Sequence, residues 1–198
     1  MTEVYKFKVK LSELEDEIWR EIELSSASSV AKLGYAVLAA FQAKGSHLFC
    51  IKFKGDRYEI IYDDFYEDFG IKTMDPTSKK LSSLKLQIGD RMEMEYDYGA
   101  GWCFDIELIS VEPMKKGMGT HYPYITDGAG WGIIEDLSIG EWVDYITKTN
   151  ETGVKPIYYD VFDKEVTWDY QRFNIKALNS LLKGNVQLME ENYEDCWK

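Results

Sequence analysis

Two histidines, three cysteines and thirty-five carboxylates are the groups through which this chain could do chemistry. His47 and His121 are the imidazoles available for general acid–base work. Cys50 follows His47 by three residues. In a strand, odd spacing sends two side chains to opposite faces, so this pair does not form a thiolate–imidazole couple. Cys50, Cys103 and Cys196 contain no CxxC and so no zinc-ribbon pattern. Glu93, Glu95, Asp105 and Glu107 alternate along two apolar-patterned segments, and acids so placed could hold a metal for hydrolysis. Asp63, Asp64, Glu67 and Asp68 lack the calcium-loop order of alternating ligands before a glycine and read as a solvated acidic loop. Gly128, Gly130 and Gly132 lack the strand–glycine turn–helix order of a phosphate-cradling loop. No GxSxG or SxxK nucleophile motif occurs. Arg20, Arg57, Arg91 and Arg172 are few for a serine resolvase that must grip phosphate.

The elements that position these groups follow from periodicity. Residues 4–11 alternate, with Val4, Tyr5, Phe7, Val9 and Leu11 apolar and Lys6, Lys8 and Lys10 opposite. Residues 18–24 alternate as well, and the two segments form an antiparallel pair. The serine-rich run Ser25-Ser26-Ala27-Ser28-Ser29 starts a helix over about 29–43, with Val30, Leu33, Val37, Leu38 and Phe41 on its stripe and Gly45 as terminator. Segments 47–53 and 57–62 make a hairpin around Gly55, 63–80 make a surface loop, and Leu81–Leu84 make a short helical turn.

Strands 91–98 and 102–111 flank a glycine-rich turn. Centred on Ala100, the turn puts Glu95 opposite Asp105 and Glu93 opposite Glu107. Like charges so opposed call for solvent first, a lysine strand such as Lys6-x-Lys8-x-Lys10 second and a metal last. Helices follow over 139–149 and 174–183, the second ended by Gly184, with a frayed acidic tail from Glu190 to Asp195. The expected fold is α+β: one domain over 1–198, its core at 4–182, with a mostly antiparallel sheet, helices packed against it and a helical C-terminal portion.

A formal net charge of −12, with the acidity after residue 50 and no basic block beyond Lys79-Lys80 and Lys115-Lys116, opposes nucleic-acid binding by counterion release. It opposes anionic membrane surfaces equally. The charged, alternating N-terminus is no signal peptide, and no apolar stretch is long enough for a bilayer. A reduced cytoplasmic protein is the simplest expectation. The aromatic content of 15% reads as core and boundary packing or as a binding surface.

The order of segments resembles the plasmid pRiA4b ORF-3-like protein family. Ile18-Trp19-Arg20-Glu21-Ile22 resembles its IWRRI-type strand, and Ala40-Phe41 followed by His47-Leu48-Phe49 its AFGW…HLH segment. Gly89-Asp90 and Tyr96-Asp97-Tyr98-Gly99-Ala100-Gly101-Trp102 resemble its GD…YDFGDGW signature. Tyr122-Pro123, Asp127-Gly128 and Glu135-Asp136 sit where the family has YPRCLDG…PPEDCGG, and Phe173-Asn174-Ile175 through Asn179 resemble its closing helix. The likeness runs over about residues 4–182. Phe49 and Phe104 stand where the family has histidines, and Ile125 and Leu137 where it has cysteines. A metal held by those groups in relatives would find nearly every ligand replaced. The family has no agreed activity, though some members are linked with mobile elements and described as resolvase-like.

The resulting expectation is a non-catalytic binding or interaction protein that needs no metal or cofactor. Its unidentified protein or small-molecule partner would sit in a cleft around Tyr98, Trp102 and Trp131, with Asp97, Asp127 and His47 as polar anchors. An accessory of mobile-element or nucleic-acid processing is the second reading. A metal-assisted hydrolase on Glu93, Glu95, Asp105 and Glu107 is the third.

Overall fold

The computed structural model describes residues 2–60, 73–135, 137–155, 157–159 and 165–194. Most of the expected acidic loop, including Asp63, Asp64, Glu67 and Asp68, lies outside them, as do Asp136 and Cys196. The alternation of residues 4–11 yields strand β1, Glu3–Leu11, with Phe7, Val9 and Leu11 fully buried. It lies between β2, Trp19–Ser25, and the long strand β7, Trp102–Pro113. Five more strands complete the sheet: β3 at Phe49–Phe53, β4 at Asp56–Glu59, β5 at Thr73–Met74, β6 at Arg91–Tyr96 and β8 at Tyr124–Ala129. The order is β5-β4-β3-β6-β7-β1-β2-β8, antiparallel except for β4 with β5. A separate two-stranded sheet joins β9, Ile157–Tyr159, to β10, Glu165–Thr167. The fold is α+β, as the periodicity predicts.

Helix α1, Val30–Ala40, is capped by Ser29, whose hydroxyl accepts from the Lys32 amide at 3.0 Å. Only Lys32 of its residues is not buried, because the sheet covers one side and α3, Ile175–Glu194, the other. Helix α2, Ile139–Thr152, opens with a capping box between Ser138 and Glu141, and its Trp142 stacks on Trp168 with ring centres 3.7 Å apart. Among the described residues no helix is long and apolar enough to cross a membrane.

Helix α3 does not stop at Gly184. It runs on to Glu194, because Leu182, Val186, Met189 and Tyr193 continue the inward stripe past the glycine. The expected frayed tail is therefore helical through Glu194. Tyr193 stacks on Tyr35 at 5.4 Å, meets the Phe49 ring edge-on at 5.2 Å and donates to the His47 carbonyl. The hairpin register is also corrected. Tyr96 pairs with Trp102, so Glu93 faces Asp105, Glu95 faces Cys103, and Arg91 faces Glu107. The turn centres on Gly99 because Asp97 takes a left-handed conformation (φ 49°) and its carbonyl accepts from Ala100 and Gly101. A two-residue slip leaves the side chains of both strands on their expected faces, and only Tyr98, in the turn, departs.

Arg20 departs most from ordinary patterning. It sits on the apolar face of β2 and is wholly buried. Its Nε donates to the Ala40 carbonyl at 3.2 Å, and the terminal nitrogens donate to the carbonyls of Trp19, Ala129, Gly130 at 2.9 Å and Trp131 at 2.8 Å. The planar cation lies between the rings of Phe41 and Phe173, 4.9 and 4.8 Å from their centres. Burial pushes the guanidinium down to about 9. Five carbonyl dipoles act the other way, and the group is cationic at neutral pH. The glycines downstream let the backbone close on this knot. A Cβ at Gly132 would lie 1.9 Å from the Phe41 carbonyl oxygen, and one at Gly128 would lie 2.7 Å from the Phe173 ring.

Two stability predictions follow from the knot. Arg20→Met strands up to five carbonyls without a donor and costs about 3–5 kcal/mol in urea unfolding. Arg20→Lys recovers only part of this, since an ammonium has three donors and no plane to stack. Gly132→Ala forces the Phe41 backbone aside and costs about 3 kcal/mol in the same assay. A loss below about 1 kcal/mol for either Arg20→Met or Gly132→Ala would contradict the packing described.

Candidate functional site

The six residues expected to share one cleft are distributed over four places. Trp102 is fully buried under the sheet, packs in the core and lines no cleft; its indole N–H has no acceptor among the described residues. The inward alternation of β7 carries it there with Phe104, Ile106 and Leu108. Asp127 is exposed on edge strand β8 opposite Glu21, and its carboxylate accepts from the Gly128 amide at 2.8 Å. Trp131 lies beyond the end of β8, near the start of α3.

Asp97, Tyr98 and His47 do come together, at the turn between β6 and β7. His47 Nε2 lies 3.5 Å from Asp97 Oδ2, and its ring is edge-on to Tyr96. Tyr98 leaves the apolar face its alternation suggests, because the left-handed Asp97 turns it outward. Its hydroxyl donates to Glu59 Oε1 and accepts from Arg57 at 3.1 Å, while Arg57 Nε donates to Glu59 Oε2 at 2.7 Å. Glu59, 1% exposed, thus has both oxygens occupied. Burial, then the Glu59 hydrogen bond, raise the Tyr98 phenol far above its usual range, and burial pushes the adjacent Cys50 thiol up to about 11. Both groups are neutral at pH 7 and neither is an activated nucleophile. The cluster is a closed set of partners that ties β3 and β4 to the hairpin turn.

The acidic outer face is neutralised by amines rather than by solvent alone, which corrects the first expectation. Lys52 on β3 bonds Glu93 at 2.9 Å and Glu95 at 2.6 Å, Arg91 bonds Glu107 at 2.9 Å, and β1 sets Lys10 beside Asp105 and Lys8 beside Glu107. Among the described residues no three His, Cys, Asp or Glu side chains are grouped to hold a metal ion.

An open cavity of ≈ 90 Å³ lies at Trp131, lined also by Arg20, Gln42, Arg172, Phe173, Asn174 and Leu178. Its floor is the Arg20 knot. Its lip is Arg172, exposed, with its guanidinium 5.6 Å from the Trp131 ring centre. Asp169, the acid nearest in sequence, is paired with Lys155 at 2.6 Å. The start of α3 adds its positive end, where Asn174 Oδ1 caps the Ala177 amide at 3.0 Å. Among the described residues no carboxylate lines the cavity, so an acidic chain has here a cationic recess with aromatic walls. Of the expected site residues only Trp131 belongs to it. Arg172 and Phe173 carried a signal in the sequence: a cation just before a helix start opposes the helix dipole and needs another purpose.

The charge ladder generates a pH prediction. Burial raises the Glu95 carboxyl, but the hydrogen bond and charge of Lys52, then Cys50 and Arg57, outweigh it and hold the group below its usual value. A carboxylate depressed in the folded state adds stability above its unfolded pKa, about 4.3, and loses it as pH falls through the folded value. Glu95→Gln therefore flattens the fall in melting temperature between pH 5 and pH 3. An acid limb as steep as that of the wild type would contradict the pairing.

Comparison with known proteins places these features. The profile of the family described as plasmid pRiA4b ORF-3-like protein matches residues 3–177. A crystal structure of a protein of unknown function, MM3350 from Methanosarcina mazei Go1, has the same fold. It superposes with a TM-score of 0.72 at 22% identity, over 89% of this chain and 96% of that one. No curated protein matches the sequence. With the matched stretch spanning nearly the whole sheet and the start of α3, the chain belongs to the plasmid pRiA4b ORF-3-like protein family.

Proposed function

We propose that this chain is a non-catalytic binding protein whose ligand docks its acidic end in the recess between Trp131 and Arg172. The observation that carries the reading is the Arg172 guanidinium, over the Trp131 ring at the mouth of a cavity with no carboxylate among its described lining residues, in a chain of net charge −12. Arg172 makes no ion pair with a described residue: Asp169 feels its charge but is bonded to Lys155, which leaves the guanidinium to pair with an incoming carboxylate in the bidentate geometry it favours. Phe173, Leu178 and the Trp131 ring supply apolar contact for the carbons attached to it. The volume is that of about three waters, so the recess takes a carboxylate and a few carbons while the rest of the ligand lies outside. The thiols and phenol near Tyr98 support a role without covalent chemistry, because burial keeps them protonated. Acids that a hydrolase would need for metal are engaged by Lys52 and Arg91.

The test is a set of small carboxylates, acetate, benzoate and indole acetate, titrated into isotope-labelled protein. The indole N–H resonance of Trp131 is expected to move with benzoate and indole acetate. Arg172→Ala is expected to remove that response without changing the melting temperature, since Arg172 is exposed. Carboxylates that leave Trp131 unmoved, or move it equally in Arg172→Ala, would overturn the reading.

A further inference from the structure

The outward face of α3 carries two features that no described residue of the chain uses. Leu181 is 61% exposed and Leu188 57%, both turned away from the inward row of Leu182, Val186, Met189 and Tyr193. Between them lies Gly184, where a Cβ would meet no heavy atom within 4 Å. Glycine in a helix interior costs about 1 kcal/mol against alanine, and no contact with a described residue requires it here. Ala177, Leu181, Gly184 and Leu188 are spaced four, three and four residues apart, the interval of a helix–helix seam. A glycine at the centre of such a seam lets two backbones approach closely.

The charges along this face select the occupant. The start of the helix carries Lys176, which makes no ion pair with a described residue, and the end carries Glu191. We propose that this face docks a second copy of the chain, the two α3 helices crossing antiparallel about a two-fold axis at Gly184. In that arrangement the same patch serves both copies. Each Leu188 rests beside the other copy's Ser180–Leu181 turn, and each Lys176 lies beside the other copy's Glu191. Parallel pairing would set lysine against lysine and glutamate against glutamate, which like-charge repulsion disfavours. The patch lies on α3 and meets the recess at Trp131 only through Ala177, while Leu181, Gly184 and Leu188 lie outside that recess.

Sedimentation velocity of the full chain tests this over a range from low to high micromolar. The wild type is expected to move toward twice its 23.0 kDa mass as concentration rises. Leu181→Glu/Leu188→Glu is expected to stay monomeric with an unchanged circular-dichroism melt, because both leucines are exposed. Lys176→Glu is expected to weaken association by about tenfold, and the swap Lys176→Glu/Glu191→Lys to restore it. A wild type monomeric throughout would overturn the proposal. So would a dimer indifferent to the leucine pair or to the charge swap.

Discussion

One buried cation organises the end of this molecule where the recess lies. Arg20 is fully buried and has no carboxylate partner among the described residues; five backbone carbonyls and two aromatic rings take that place. Those carbonyls belong to β2, the end of α1, the last residue of β8 and the glycine-rich segment after it, and one of the rings precedes α3. Elements distant in sequence thus share a single donor. Taking a guanidinium out of water is costly, and only a complete set of acceptors offsets it. The geometry therefore tolerates little displacement, and the glycines at 128, 130 and 132 are the condition for it. Gly130 alone needs a positive φ, 69°; Gly128 and Gly132 are required by proximity, to the Phe173 ring and the Phe41 backbone.

The residues that mark the family have the same character in this chain. Glu135 is buried and receives the amides of Lys44 and Gly45 at 2.8 and 3.1 Å, closing the turn after α1. Asn179 accepts from the Ile125 amide and donates to its carbonyl, both at 2.8 Å, so α3 is hydrogen-bonded to strand β8 like a further strand. Trp102 fills the core, and Tyr122-Pro123 is a cis bond at the entry to β8. The fingerprint here is scaffold. At the positions where the family resemblance leads one to expect cysteine or histidine, Phe104 and Ile125 are fully buried and Leu137 packs against the core. Their side chains contribute to cohesion and offer no ligand atom.

Much of the sheet was legible because period-two alternation in residues 5–11, 91–96 and 102–108 is strict, and burial follows it residue by residue. The hairpin register was not, because it depends on a left-handed aspartate, a conformation that composition does not announce. The length of α3 was misread at Gly184: a glycine in a helix reads as a stop unless the inward stripe beyond it is counted, and Val186, Met189 and Tyr193 continue that stripe. Grouping Trp102 with Trp131 failed for a different reason. Sequence alternation gives the face of a strand, and it says nothing of which strand ends converge in space. Arg20 on the apolar face of its strand was the clearest unread signal, since a lone charge among Ile18, Ile22 and Leu24 has to be satisfied from inside.

The account stands on the claim that Arg20 holds the glycine-rich segment, and with it the wall of the recess. Native-state hydrogen exchange of the Trp131 and Ile133 amides, which donate to the Tyr170 and Phe41 carbonyls at 2.6 and 2.9 Å, tests this directly. In Arg20→Lys both amides are predicted to lose protection selectively, while the amides paired between β1 and β7 keep the higher protection of the core. Unchanged protection at Trp131 and Ile133 would show that the segment holds its shape without the guanidinium, and would contradict the account.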